Sequence, residues 1–444
     1  MIWTKTKISE FLFERKGRYK PNDKEIQGLQ RIEKIDFSGN IHIGDKSSNT
    51  NMILVKRGDL VISGINVAKG AMAIYAEDND VVATIHYSSY TFDKTMINVD
   101  YFKRFLKSPE FIRLLNEKVK GGIKTEIKPK HILPLEINLP DIETQNSIVS
   151  NFEKIEDDII KLDSEVDCQQ SLLTKLKQSI LQEAIEGKLT YKWRKENQDI
   201  EPASILLDKI QKEKEQLIKE KKLKKPQSIK NIKTLRDIDI PSNWKWAKGD
   251  EIFFTTKLAG FEYTEHITLE DRGEVPVIRA QNVRPFNIKK DNLKYIDMET
   301  SLKLHRCALT KPSLLVTFIG AGIGDVALFN EKKRWHLAPN VAKQELFEGC
   351  EDLISLKFIN HYMMSDIGKQ ELFKHIKATA QPSLSMGTIR DIDYPIPPIE
   401  EQKQIVNKIE KLFAICDELE EQINSSKQNT QTLMQAVLKE AFEN

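Results

Sequence analysis

Pro140-Asp141-Ile142-Glu143-Thr144-Gln145-Asn146-Ser147-Ile148-Val149 returns 257 residues later as Pro397-Pro398-Ile399-Glu400-Glu401-Gln402-Lys403-Gln404-Ile405-Val406. The match runs without a gap from 132–187 to 389–444, with 16 of 56 positions identical. Solenoid repeats run to about 20–50 residues, so this period marks something else. It reads as a duplicated half: variable domain, helix, variable domain, helix.

Both copies share one apolar period. In the first, Ile148, Phe152, Ile155, Ile159, Leu162, Val166, Gln169, Leu173, Leu176 and Ile180 alternate in steps of four and three. The second gives Ile405, Ile409, Leu412, Cys416, Leu419, Ile423, Ser426, Thr430, Leu433 and Val437 in the same register. Such alternation over more than four heptads is a coiled-coil seam. Each seam covers 33 residues, a helix of about 50 Å. Pro140 and Pro397-Pro398 stand just ahead of the helices, where proline is tolerated. Two such helices in one chain predict an antiparallel pair about a pseudo-two-fold axis, with Leu162 in the seam. The plainer alternative is that each helix only covers its own domain.

The flanking regions, 1–131 and 238–388, read as mixed α/β. Met52–Val55, Asp59–Ile62, Ala71–Tyr75, Val275–Ile278 and Leu314–Ile319 are strand-like, and turn residues punctuate them. Each region closes on a helical stretch, Val99–Lys120 and Leu353–Ala378. Apart from that order the two sequences diverge, which suggests that they read two different things. Between the halves, Ile205–Lys225 reads as a solvated helix, or as one facing a polyanion or a partner, ahead of a linker that ends near Pro241-Ser242-Asn243-Trp244. The boundaries are therefore 1–140 and 238–398 for the domains, 141–200 and 399–444 for the long helices, and 201–237 for the basic helix and linker.

The 444 residues carry 68 basic and 66 acidic side chains, net +2. Bulk charge alone cannot draw such a chain to a polyanion, but the total hides its distribution. Residues 1–140 are net +6 and 205–236 net +7, against −6 for 141–204, −1 for 237–398 and −4 for 399–444. The helical arms are acidic; the first domain and the linker are basic. No run of about 20 apolar residues exists, so no membrane span is expected. No signal peptide is visible. The four cysteines lie far apart with no CxxC pair, which predicts a reduced, cytoplasmic protein without a zinc site.

Catalytic motifs are missing. There is no GxxxxGK[ST] loop, no HExxH helix and no GxSxG elbow. Gly320-Ala321-Gly322-Ile323-Gly324 follows a strand, but Asp325–Phe329 after it is strand-like. A dinucleotide site needs a helix N-terminus there, so this loop reads as a tight turn between strands.

The repeated Pro-x-Ile-Glu-x-Gln-x-x-Ile-Val segments carry a resemblance. So do Glu186-Gly187-Lys188-Leu189-Thr190-Tyr191-Lys192-Trp193-Arg194, Pro241-Ser242-Asn243-Trp244 and Gln381-Pro382-Ser383-Leu384-Ser385. Together they resemble the DNA-specificity (S) subunit of type I restriction–modification systems, over essentially the whole chain. The resemblance implies two α/β (α+β) target-recognition domains, each reading half of a split double-stranded DNA sequence. It implies helices that set the spacing and dock methyltransferase (M) subunits, and a separate restriction/translocase (R) subunit. The chain itself would be non-catalytic and hold no cofactor, with S-adenosylmethionine, ATP and Mg on the partners. The competing class is a coiled-coil adaptor whose two domains bind proteins.

Base edges are read by bidentate donors, and phosphates by Lys, Arg, Ser and Thr. On that chemistry the first domain offers Ser63, Asn66 and Lys69 in one loop, His86 and Tyr87 in another, and the basic residues Lys120, Lys124 and Lys128. The second offers Arg279, Gln281, Asn282 and Arg284 after a strand. It also offers Lys374, Lys377, Gln381 and Ser383 ahead of its helical arm. The two domains differ where Gly121-Gly122-Ile123-Lys124-Thr125 stands opposite Ala378-Thr379-Ala380-Gln381-Pro382.

Overall fold

The protein is described from a computed structural model, which covers residues 3–46, 48–118, 126–223, 238–320, 322–374 and 383–442. It is a mixed α/β chain whose contacts divide it into two compact units, residues 1–169 with 422–444, and residues 170–421. Among the described residues no helix is long and apolar enough to cross a membrane.

In the first unit, Trp3–Lys7 pairs antiparallel with Glu136–Pro140. This ribbon encloses two four-stranded sheets. One runs Leu12–Glu14, Tyr87–Phe92, Leu60–Ser63, Met72–Ile74. The other runs Ile41–Gly44, Arg31–Ile35, Val81–Thr84, Met52–Val55 and holds one parallel contact, Arg31–Ile35 with Val81–Thr84. Leu60-Val61-Ile62-Ser63 is buried throughout because its two faces meet different cores. Leu60 and Ile62 join Phe102, Phe105 and Phe111 of the helices. Val61 joins Ile32, Ile53 and Val81 of the other sheet. Alternation of side chains along a strand produces this division.

The second unit repeats the plan. Lys245–Lys248 pairs with Asp393–Ile396. One sheet runs Phe253–Lys257, Val341–Leu346, Ser313–Thr317, Val326–Phe329. The other runs Lys294–Ile296, Val275–Ile278, Trp335–Leu337, Ala308–Leu309, again with one parallel contact, Val275–Ile278 with Trp335–Leu337. The duplication therefore reaches into domains whose sequences do not betray it.

Shared polar devices reinforce this. Gln145 Nε2 donates to the Pro140 carbonyl at 2.8 Å, and its Oε1 accepts from the Asn98 amide at 2.8 Å. Gln402 donates to Pro397 at 2.9 Å and accepts from Ser355 at 2.7 Å. Asn98 and Ser355 cap the helices Val99–Phe105 and Leu356–Met364. Ser108 Oγ donates to Phe105 and accepts from Phe111; Ser365 does the same with Tyr362 and Gly368. Each pair keeps the 257-residue offset, which therefore holds from residue 98, well before identity becomes visible.

The long helices are Ile142–Ile185 and Ile399–Phe442, 44 residues each. In the first unit Phe442 stacks on Phe152, centroids 5.9 Å apart, and meets Tyr101 and Phe105. Lys427 Nζ lies 2.9 Å from Asp167 there. In the second unit Lys177 Nζ reaches Asp417 at 2.9 Å and Glu420 at 2.8 Å. Phe152, Ile159, Val166, Leu173 and Ile180 are buried, seven residues apart. The alternate half of the expected seam is not: Leu162 is 48% exposed, Leu176 45% and Leu433 46%. Ile405 and Ile409 are both buried near the start of the second helix, but Leu162 lies on an open stripe rather than in a covered seam.

The segment after the first helix packs within the second unit. Glu401, fully buried, accepts from Thr190 Oγ1 at 2.8 Å, Trp244 Nε1 at 2.9 Å and the Arg194 guanidinium. One carboxylate thus gathers the Glu186–Arg194 motif, the Pro241–Trp244 motif and the second helix. In the same unit Phe286, His361 and Phe413 form a three-ring cluster at 5.4–5.9 Å. Burial pushes the His361 imidazole down to about 4, and its Nδ1 has no hydrogen-bond partner.

Candidate nucleic-acid interface

In the first unit three polar segments meet at one end of the Leu60–Ser63 strand. The Gly64 amide donates to the His86 carbonyl at 2.8 Å, and the Ile127 amide donates to the Gly64 carbonyl at 2.8 Å. A Cβ at residue 64 would stand 2.6 Å from the Ile127 carbonyl, so glycine suits the close approach in this domain. The loops holding Ser63, Asn66 and Lys69, His86 and Tyr87, and Lys128 are thereby brought together. His86 Nδ1 lies 2.7 Å from Glu126, whose other oxygen is 3.2 Å from Lys128 Nζ. Burial would raise the Glu126 carboxyl, but the hydrogen bonds from His86 and Lys128 hold it below its ordinary range. Lys69 is exposed, with Nζ 5.5 Å from the centroid of Phe37. Ser63 is buried and acts in the strand. Lys120 and Lys124 lie outside the described residues.

The second unit builds the same junction. The Phe318 amide donates to the Asn340 carbonyl at 3.1 Å, and the Leu384 amide donates to the Phe318 carbonyl at 2.9 Å. Ile319 bridges to Ser383. Because Ser63 pairs with Tyr87 and Thr317 with Val341, Asn340 stands where His86 stands. The loop Gly320–Gly324 stands where Asn66–Gly70 stands. Its glycines at 320, 322 and 324 all have φ between +84° and +96° or just below, at +83°, and a strand follows, Val326–Phe329. Lys257 Nζ lies 4.6 Å from the centroid of Phe318.

The remaining candidates separate. Gln281 and Ser383 are exposed. Arg284 donates to the Val283 carbonyl at 2.8 Å and lies 4.0 Å from Asp325 beside the glycine loop. Arg279 donates to the Asn292 carbonyl at 2.5 Å, while its Nε is buried and unpartnered. Asn282 is 1% exposed; it donates to Lys289 and Asp291 carbonyls and accepts from the Arg279 amide. Lys374 is buried against Glu371 at 2.7 Å, Asp391 and Asp393. Both side chains are committed inside the protein, so Asn282 and Lys374 leave the set of candidate contacts. Lys377 and Gln381 lie outside the described residues. Sequence reading did not single out Asn340 or Lys257, and took the glycine loop only as a turn. Only strand register aligns them with the first domain.

Residues 241–426 match the type I restriction modification DNA specificity domain. The type I restriction enzyme EcoBI specificity subunit of Escherichia coli is 22% identical over 344 residues, covering 77% of this chain and 65% of that one. The EcoDI specificity subunit of the same species is 21% identical over 365 residues, covering 80% and 71%. The chain is similar to type I restriction–modification specificity subunits, with the family match confined to its second domain and part of the helix that follows. It spans about two thirds of the length of these relatives. A chain solved in work on complex assembly and conformational transition of the type I R-M system aligns over 99% of this chain and 97% of itself. Its TM-score is 0.60 at 12% identity, a likeness of fold. The domain match covers the second unit's domain, and the shared strand order extends the same plan to the first.

Proposed function

We propose that this chain is the non-catalytic subunit that gives a cytoplasmic type I restriction–modification complex its DNA sequence specificity. Each domain reads one half of a bipartite double-stranded target. Residues 1–140 and 238–398 are the two readers. The long helices pair as an antiparallel coiled coil about a pseudo-two-fold axis, set the distance between half-sites and dock methyltransferase subunits. Methyl transfer with S-adenosylmethionine, and ATP- and Mg-dependent cleavage by the restriction subunit, belong to the partners.

The observation that carries this reading is the repeated junction: two domains of one strand order, each presenting polar loops at the same strand end. Candidate contacts are Asn66, Lys69, His86, Tyr87 and Lys128 in the first, and Arg279, Gln281, Arg284 and Ser383 in the second. Lys120, Lys124, Lys377 and Gln381 complete the set from sequence. Donors of this kind suit base edges and phosphates. Contacts inside each unit support the helix pairing: Asp167 meets Lys427 in the first, and Lys177 meets Asp417 in the second. The open stripe at Leu162, Leu176 and Leu433 leaves apolar surface for a partner subunit.

Mapping methylated bases in a host carrying this chain and its methyltransferase tests the proposal. The expected motif is bipartite, with two short half-sites around an unspecified spacer. A contiguous motif, or none, overturns it. Inserting four residues into one long helix should change the spacer or abolish binding; an unchanged spacer with full activity removes the ruler.

A further inference from the structure

A single exposed isoleucine on a protein surface needs no explanation. Two at the same topological position, in domains whose sequences diverge, do. Ile65 is 59% exposed and Ile319 is 39% exposed. Each follows directly on the junction residue, Gly64 or Phe318, that is bonded to the His86 or Asn340 carbonyl and to the segment at 127 or 384. Each sits at the head of the loop that carries the candidate contacts, and each domain keeps a lysine over an aromatic ring nearby in sequence or register, Lys69 over Phe37 and Lys257 over Phe318.

The surroundings decide what would cover these side chains. The neighbouring loops offer donors and cations, which suit base edges and phosphates rather than an apolar protein surface. The major groove of DNA displays one apolar group, the thymine C5 methyl. A β-branched side chain is stiff at χ1 and loses little freedom on packing against it. We propose that Ile65 and Ile319 are apolar specificity residues, each packing on a thymine methyl in its own half-site. This rests on the DNA-reading role proposed above.

The test uses the full chain assembled with its methyltransferase partner and duplexes bearing the mapped target. Each thymine is replaced singly by deoxyuridine, which removes the methyl and leaves the hydrogen-bonding edges. One thymine per half-site should weaken binding about three- to five-fold when demethylated, the worth of one buried methyl. Ile65→Ala should abolish that sensitivity in one half-site only, and Ile319→Ala in the other only. Ile65→Val and Ile319→Val should retain it. Deoxyuridine without effect at every position, or alanine variants with undiminished sensitivity, overturns the inference while leaving the DNA-reading role intact. Absence of any sequence-specific binding by the unaltered complex overturns that role, and this inference with it.

Discussion

In the first unit Arg15 forks the buried carboxylate of Asp59, with bonds of 2.5 and 2.7 Å, and Ser89 Oγ donates to the same group at 2.8 Å. In the second, strand register puts Ser313 where Asp59 stands and Lys343 where Ser89 stands. There Lys343 Nζ and Ser313 Oγ instead meet Glu345 Oε1, at 2.7 and 3.2 Å. The same exchange recurs at the helices. Arg104 pairs with Glu156 in the first unit at 2.5 Å. At the 257-residue offset the second has His361 and Phe413, a ring contact of 5.9 Å. Lys248, Asp391 and Asp393 make an ionic cluster with Lys374 and Glu371; the first unit has Leu114 and Pro134 where Glu371 and Asp391 stand. Strand order and caps are held constant while buried polar partners are rewritten as sets. A buried polar group left alone costs more than one replaced together with its partner, so partners change together.

The sharpest way to break this comparison is at Glu401, whose counterpart is Thr144. Glu401→Ala leaves Arg194 Nη1, Thr190 Oγ1 and Trp244 Nε1 without this acceptor, and should cost the second unit on the order of 3–5 kcal/mol. Thr144→Ala should cost the first about 0.5 kcal/mol or less. Denaturant unfolding followed by hydrogen exchange reads each unit, and equal losses would mean that the latch is not specific to the second. Phe442→Ala comes next. It empties a ring site against Phe152, Tyr101 and Phe105, and about 3 kcal/mol should be lost, with protection falling in the first unit alone.

Acid should separate the units through His361. The unfolded imidazole takes up its proton near its ordinary value, the folded one only near 4. Stability is therefore complete above about pH 6.5 and declines as pH falls toward 4, by on the order of 2 kcal/mol. His361→Phe should flatten that slope in thermal melts of the second unit; an unchanged slope removes His361 as its source. The smallest effect is expected at Leu162, where alanine should cost less than about 1 kcal/mol because the side chain is half exposed, while buried Val166→Ala costs about 1–2 kcal/mol.

The long helices were legible because a seven-residue period needs no tertiary information, and Gln145 and Gln402 stood out by identity. The seam was read too wide, since periodicity reports which positions are apolar and not which of them this chain covers. Two mixed α/β domains were expected from the sequence, but their common strand order was not legible. Tyr101 stands opposite Phe358 and Glu156 opposite Phe413, so the shared plan lies in strand register and caps rather than in residue identity. Among candidate contacts, Asn282 and Lys374 illustrate the limit of residue type. An asparagine suited to adenine is equally suited to closing its own loop, and only burial distinguishes the two. The glycine loop was recognised as a turn, but its correspondence to Asn66–Gly70 required the pairing of Thr317 with Val341.

In each domain the incoming and outgoing strands are hydrogen-bonded neighbours, Trp3 opposite Pro140 and Lys245 opposite Ile396. Everything between them is topologically an insertion whose two ends meet. Such a module can be exchanged, lengthened or replaced without moving the helix that follows, because the ribbon and the glutamine beneath it preserve the junction. Under the proposed role, recombination at these ribbons would exchange one reader in a single event, while the helix that follows stays joined as before.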